Sequence, residues 1–204
     1  MRTLPFSPAM SAGFVQALWR FPVLGMAGEP LRSTQIDARG LAGDRQHYAG
    51  GPEGRLGIQD LPALAQWSAA YPFYPDGAVD PHRALPYPTI TGPGGGKAFL
   101  WGDPRLGFAL ERSLGRSIEL VRDLEAARPI IVSTLEPPID RAVAGINVQL
   151  QLPLPNAGGW AGTELIFRDG VRLKLVASRA DGPGIEARVV EAGRIVLGEP
   201  VVLG

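Results

Sequence analysis

Glu164-Leu165-Ile166-Phe167-Arg168-Asp169-Gly170-Val171-Arg172-Leu173-Lys174-Leu175-Val176-Ala177-Ser178 is the stretch whose pattern decides the fold class. Val171, Leu173, Leu175 and Ala177 alternate with Arg172, Lys174, Val176 and Ser178. A period of two gives a strand one apolar face and one largely polar face. Asp169-Gly170 separates this run from the apolar Leu165-Ile166-Phe167. Asp-Gly between two apolar runs reads as a tight hairpin turn, because glycine and aspartate accept the left-handed backbone that such turns require.

Similar short apolar runs recur outward from the hairpin. Strands are predicted at Phe14 to Phe21, Leu31 to Ala38, Ile118 to Val121, Ile130 to Val132, Ile146 to Leu152, Arg188 to Glu191, Arg194 to Leu197 and Val201 to Leu203. With 27 Gly and 20 Pro in 204 residues, the runs are joined by many turns rather than by long helices. Two segments carry helical punctuation. Asp60 precedes Leu61 to Ala70, and Asp103 stands as N-cap with Pro104 at the first helical position of a run to Leu114 that stops at Gly115. Leu106, Leu110 and Leu114 share one face of that second helix. The balance predicts a mainly β fold with peripheral helices, a barrel or sandwich, as one domain over 1–204. Residues 71–98, rich in Pro and Gly and without a period, read as an irregular excursion over the surface, in which Tyr71, Phe73, Tyr74 and Tyr87 line a ligand site or pin the loop.

Composition excludes several functions. The 20 Lys+Arg balance 20 Asp+Glu, so the clustered positive excess expected of a nucleic-acid or anionic-membrane binder is absent from the totals. No cysteine is present, which removes disulfides, thiolate metal sites and a Cys nucleophile. Near the start, Pro5 and Pro8 interrupt the apolar core a secretory signal needs, so a cytoplasmic location is expected.

Few motifs remain. Gly92-Pro93-Gly94-Gly95-Gly96-Lys97 lacks the spacing of a phosphate-binding Walker loop, and Ala98 stands where Ser or Thr would hold magnesium, so it reads as a surface turn. His47 and His82 are candidate general bases, His47 more so for its place beside Asp44-Arg45. Asp181, in Asp181-Gly182-Pro183-Gly184, is a further candidate acid or base and equally an ordinary turn residue. Gly40-Leu41-Ala42-Gly43-Asp44-Arg45 combines turn glycines with a guanidinium fork suited to phosphate or carboxylate. Arg45 either meets a ligand or closes an internal network with Asp44.

The order of several fragments resembles the MOSC (molybdenum cofactor sulfurase C-terminal) domain family. Phe21-Pro22-Val23-Leu24-Gly25, Gly28-Glu29-Pro30-Leu31 and Gly40-Leu41-Ala42-Gly43-Asp44-Arg45 are similar to a YPVKS, GE-x-L, GL-x-GDR opening. The likeness continues through Gly102-Asp103-Pro104, Leu114-Gly115-Arg116, Ile131 to Thr134, Ile146-Asn147-Val148, Trp160-Ala161-Gly162 and Leu197 to Val201. It implies a MOSC-like β-barrel and a pocket for a molybdenum cofactor (molybdopterin). Arg45, Ser133, Thr134 and Asn147 then match ligand contacts, and Arg179 joins Arg45 as a charge partner. The family's Lys and Ser are here Leu24 and Gly25, its Arg-Phe-Arg is Val143-Ala144-Gly145, and Ala180 stands where a metal-binding Cys is expected. The chain is therefore read as a divergent member binding a molybdenum-pterin-like or other anionic small molecule. The alternatives are a non-catalytic scaffold or binding protein, and an enzyme with replaced acid–base chemistry using His47 or Asp181.

Overall fold

The computed structural model describes residues 13–52, 54–72, 86–134, 145–152, 160–179 and 184–204. Phe73, Tyr74, His82, Ala180 and Asp181 lie outside the described residues. In chain order the strands are β1 (Gly13–Arg20), β2 (Glu29–Leu31), β3 (Ser33–Asp37), β4 (Gly40–Leu41), β5 (His47–Gly51) and β6 (Gly54–Leu56). Next come β7 (Ser68–Ala70), β8 (Thr89–Thr91), β9 (Ala98–Leu100), the helix α1 (Pro104–Leu114), β10 (Glu119–Arg122) and β11 (Ile130–Ser133). The chain ends in β12 (Val148–Gln151), β13 (Glu164–Phe167), β14 (Arg172–Ser178), β15 (Ile185–Glu191), β16 (Gly193–Val196) and β17 (Pro200–Leu203).

The Asp169-Gly170 hairpin forms as its pattern predicts. β13 and β14 pair antiparallel with Leu165 opposite Leu173. Phe167 N donates to Val171 O at 2.9 Å across the turn, and Gly170 has a φ of 87°. The alternating residues Leu165, Phe167, Leu173 and Leu175 are all buried. The sheet runs in the order β12-β11-β15-β14-β13-β17-β1, and a further pairing of β12 with β1 closes it into a mainly β barrel. Closure removes free sheet edges and surrounds one apolar cluster that includes Val15, Leu18, Ile130, Val148, Phe167 and Val201.

A second apolar cluster lies beside the barrel. α1 begins where Asp103 accepts from Arg105 N at 2.9 Å, and ends at Gly115, whose left-handed φ of 71° lets its N–H reach Glu111 O at 2.8 Å. Leu106 and Leu110 are fully buried there against Leu64, Trp67 and Ile90. The helix predicted over Leu61 to Ala70 is instead a short 3-10 turn, Pro62–Gln66, followed by β7. Asp60 caps nothing downstream, because its carboxylate accepts from Gly57 N at 2.8 Å. Ser68 to Ala70 leave to pair with β8. β8 and β9 also correct the reading of 71–98 as irregular throughout. Tyr71 pins the start of that segment, being buried with its N–H on Glu29 Oε1 (3.2 Å) and its hydroxyl donating to Gly43 O (3.3 Å).

The closing turn before β17 holds a stability switch. Glu199 is buried and accepts from Val196 N at 2.7 Å, while Val15 N donates to its backbone carbonyl at 2.9 Å. Burial raises its carboxyl to about 7. A carboxyl raised on folding favours the folded state below its ordinary value, and that contribution is lost as pH rises through about 7. Glu199→Gln keeps an acceptor for Val196 N without the buried charge. It is expected to unfold at higher urea than wild type at pH 8, by about 1 kcal/mol after allowing for a weaker hydrogen bond, with no gain at pH 4.5. An unchanged urea midpoint at pH 8 contradicts this account.

Candidate functional site

The strand exit after β3 is built to present Arg45. β3 and β4 pair through Asp37 opposite Gly40. Gly40 has a φ of 116°, and a Cβ there would stand 2.3 Å from Arg128 O, so only glycine fits. Arg45 itself has a φ of 48°, the one positive value at a non-glycine position among the described residues. A left-handed non-glycine residue costs on the order of 1 kcal/mol and persists only where its surroundings hold it. Here Arg45 N donates to Phe21 O at 2.6 Å, and Arg128 Nε donates to Arg45 O at 3.2 Å.

The side chains hold it too. Asp44, buried, accepts at Oδ1 from Phe21 N (2.8 Å) and Asn147 Nδ2 (3.0 Å), and at Oδ2 from Arg45 Nε (2.5 Å). Arg45 Nη2 donates to Pro129 O (2.6 Å) and Asn147 Oδ1 (2.9 Å). Arg45 thus closes an internal network, and it also lines a cleft of about 330 Å³.

Phe21, Leu24, Gly25 and Met26 from the segment after β1 supply the apolar wall of that cleft. Arg55, Ile58, Gln59 and Asp60 bound another side, and Gly145 and Arg179 complete it. A Cβ at Gly145 would lie 3.5 Å from Arg179 Nη1, so the glycine leaves room for the guanidinium. Arg55 is ion-paired with Asp123 and stacks over Tyr48 with 4.8 Å to the ring centroid. Cationic groups beside an apolar wall suit an amphipathic anion, each charged donor contributing about 1.5–3 kcal/mol where desolvated.

The other predicted positions fall elsewhere. Asn147 is buried and its amide is engaged by protein groups, so it does not line the cleft. Ser133, buried on β11, and Thr134 beside it are not among the lining residues either. His47 is fully buried. Its Nδ1 meets Pro22 O at 3.3 Å, its Nε2 has no hydrogen-bond partner, and its ring packs against Tyr71, Tyr87 and Trp101. Desolvation lowers it to about 4, which leaves it neutral at pH 7, and it does not line the cleft. That placement corrects the expectation of His47 as a general base at this site.

Arg55 and Asp60 are lining residues the sequence reading missed. The signal available was the turn-rich Gly50-Gly51-Pro52-Glu53-Gly54, which joins β5 to β6 and brings Arg55 back to the cleft. Among the described residues no group of three or more His, Asp or Glu is placed to hold a metal ion, and no helix is long and apolar enough to cross a membrane.

Fold and site together define a closed β-barrel protein with an arginine-flanked cleft at one side. No protein-family model matches the chain, and no curated protein matches it. Among solved structures it is similar to the YuaD protein from Bacillus subtilis, at 13% identity over 93% of each chain with a TM-score of 0.47.

Proposed function

We propose that the chain is a divergent MOSC-type barrel whose cleft binds an anionic small molecule in the cytoplasm. One observation carries the reading. Leu24, Gly25, Arg45, Gly145 and Arg179, drawn from separate stretches that the family resemblance singled out, line one cleft.

The residues present do not fit the complete molybdenum cofactor. With no cysteine in the chain no thiolate reaches a metal, and Leu24 and Gly25 replace a lysine and a serine that would add charge and a hydroxyl. Arg45 and Arg179 suit the anionic end of a ligand, and Phe21, Leu24 and Met26 its apolar body. The role supported is binding, and no bond-making step is assigned.

Titration with inorganic phosphate at low salt, followed by NMR shifts, tests the reading. Saturable binding is expected, weakened about tenfold or more in Arg45→Ala, as for loss of a charged hydrogen-bond donor. Arg179→Ala is expected to weaken it as well. A wild-type protein that shows no saturable phosphate binding overturns the reading. Protein made in a host that produces molybdenum cofactor should carry no stoichiometric molybdenum, and a stoichiometric content would contradict the stated misfit.

A further inference from the structure

Arg45 reaches the cleft with most of its guanidinium already committed. A guanidinium carries five N–H donors in a fixed fork. Nε is taken by Asp44 Oδ2 (2.5 Å), and Nη2 by Pro129 O (2.6 Å) and Asn147 Oδ1 (2.9 Å). Nη1 alone is left for a ligand among the described residues. Asn147 is fixed just as firmly. Its Oδ1 also accepts from Ile131 N (3.0 Å), and its Nδ2 donates to Asp44 Oδ1 (3.0 Å) and Trp19 O (3.3 Å). The side chain thus ties β1, β11 and the strand exit carrying Arg45 at one point inside the protein.

We propose that Asn147 is a positioning residue: with Asp44 it clamps the Arg45 guanidinium so that only Nη1 faces the cleft and meets one oxygen of an oxyanion end-on. The proposal rests on the anion-binding reading above. Fork-like recognition of two oxygens by Arg45 is excluded by this arrangement, because both of the fork's other edges are occupied. The second oxygen of a phosphate, sulfate or carboxylate must be met by another donor, and Arg179 lines the same cleft.

Two measurements test it. In wild-type protein, side-chain ¹⁵N NMR of Arg45, assigned by its loss in Arg45→Lys, is expected to show separate, slowly rotating Nη signals. A single averaged signal, as from a freely turning guanidinium, overturns the clamp without any variant having to fold. In the second measurement, inorganic phosphate is titrated by NMR into wild type, Asn147→Ser, Arg45→Ala and the double variant. Asn147→Ser is expected to weaken phosphate binding about fivefold when Arg45 is present and less than twofold when it is absent, since its effect passes through Arg45. An equal loss in both backgrounds, or none when Arg45 is present, overturns the positioning role while leaving the anion site intact. Absence of phosphate binding by wild type overturns the anion site and the positioning role that rests on it, whereas failure of the positioning role alone leaves wild-type binding in place.

Discussion

Asp44→Ala is expected to lower the unfolding free energy by about 3–5 kcal/mol, the range found when one partner of a buried charge pair is removed. Three donors converge on this carboxylate: Phe21 N, Asn147 Nδ2 and Arg45 Nε. With Asp44 only 2% exposed, alanine leaves these donors without their acceptor and away from bulk solvent. The Arg45 guanidinium, itself mostly enclosed at 15% side-chain exposure, loses its counter-charge. Its left-handed backbone also loses part of what holds it. Asp44→Asn separates these contributions. The amide keeps an acceptor for Phe21 N but carries no charge and turns an N–H toward the Arg45 donor, so an intermediate loss is expected. Urea unfolding of both variants at pH 7 decides the matter, and a loss below about 1 kcal/mol in Asp44→Ala contradicts a clamp centred on this carboxylate.

The legible and illegible parts of this chain differ in how local their causes are. Asp169-Gly170 and the alternation beyond it state a hairpin within fifteen residues, and the pairing of Leu165 with Leu173 follows. Asp103-Pro104 and Gly115 mark both ends of α1 with chemistry that acts within one turn. Ser68 to Ala70 has no alternation, and it becomes a strand only because β8 lies beside it. A helix was the wrong expectation there, since Asp60 closes its own turn with Gly57. At the site, the Gly40 to Arg45 motif left Arg45 open between a ligand contact and an internal network, and the structure shows the network with Asp44 at a residue that also lines the cleft. The family resemblance implied Asn147 as a ligand contact, whereas its amide points into the barrel wall and acts on a residue 102 positions away. Pattern reading names such residue types and leaves their direction to the packing. His47 went astray for the same reason: its near neighbour Arg45 lines the cleft, while its own ring turns into the aromatic set of Tyr71, Tyr87 and Trp101.

That buried imidazole disfavours the fold at acid pH. Neutral His47 keeps its proton on Nδ1 against Pro22 O, and Nε2 is enclosed with no partner to stabilise a second proton. Desolvation chiefly, with Arg122 adding repulsion, lowers it from 6.5 to about 4. A histidine depressed on folding contributes stability in full above its ordinary value and loses it as pH falls toward the folded value. Between pH 7 and pH 4.5 the unfolded chain therefore takes up a proton that the folded chain refuses, which costs about 2–3 kcal/mol at the lower pH. Carboxylates titrate in part of this range, so wild type is best read against His47→Phe, which fills the same aromatic niche without titrating. The difference in unfolding free energy between the two is expected to be level above pH 7.5 and to move in favour of the variant by about 2–3 kcal/mol at pH 4.5. The strand start it occupies gives the loss a functional consequence. His47 N donates to Pro22 O and Leu24 N donates to His47 O, so the same backbone bonds that seat the ring hold Leu24 in the cleft wall. Charging the ring should thus loosen the cleft as well as the barrel's neighbour sheet. A difference that stays flat from pH 7.5 to 4.5 means that His47 takes its second proton as readily in the folded chain as in the unfolded one, and rules this mechanism out.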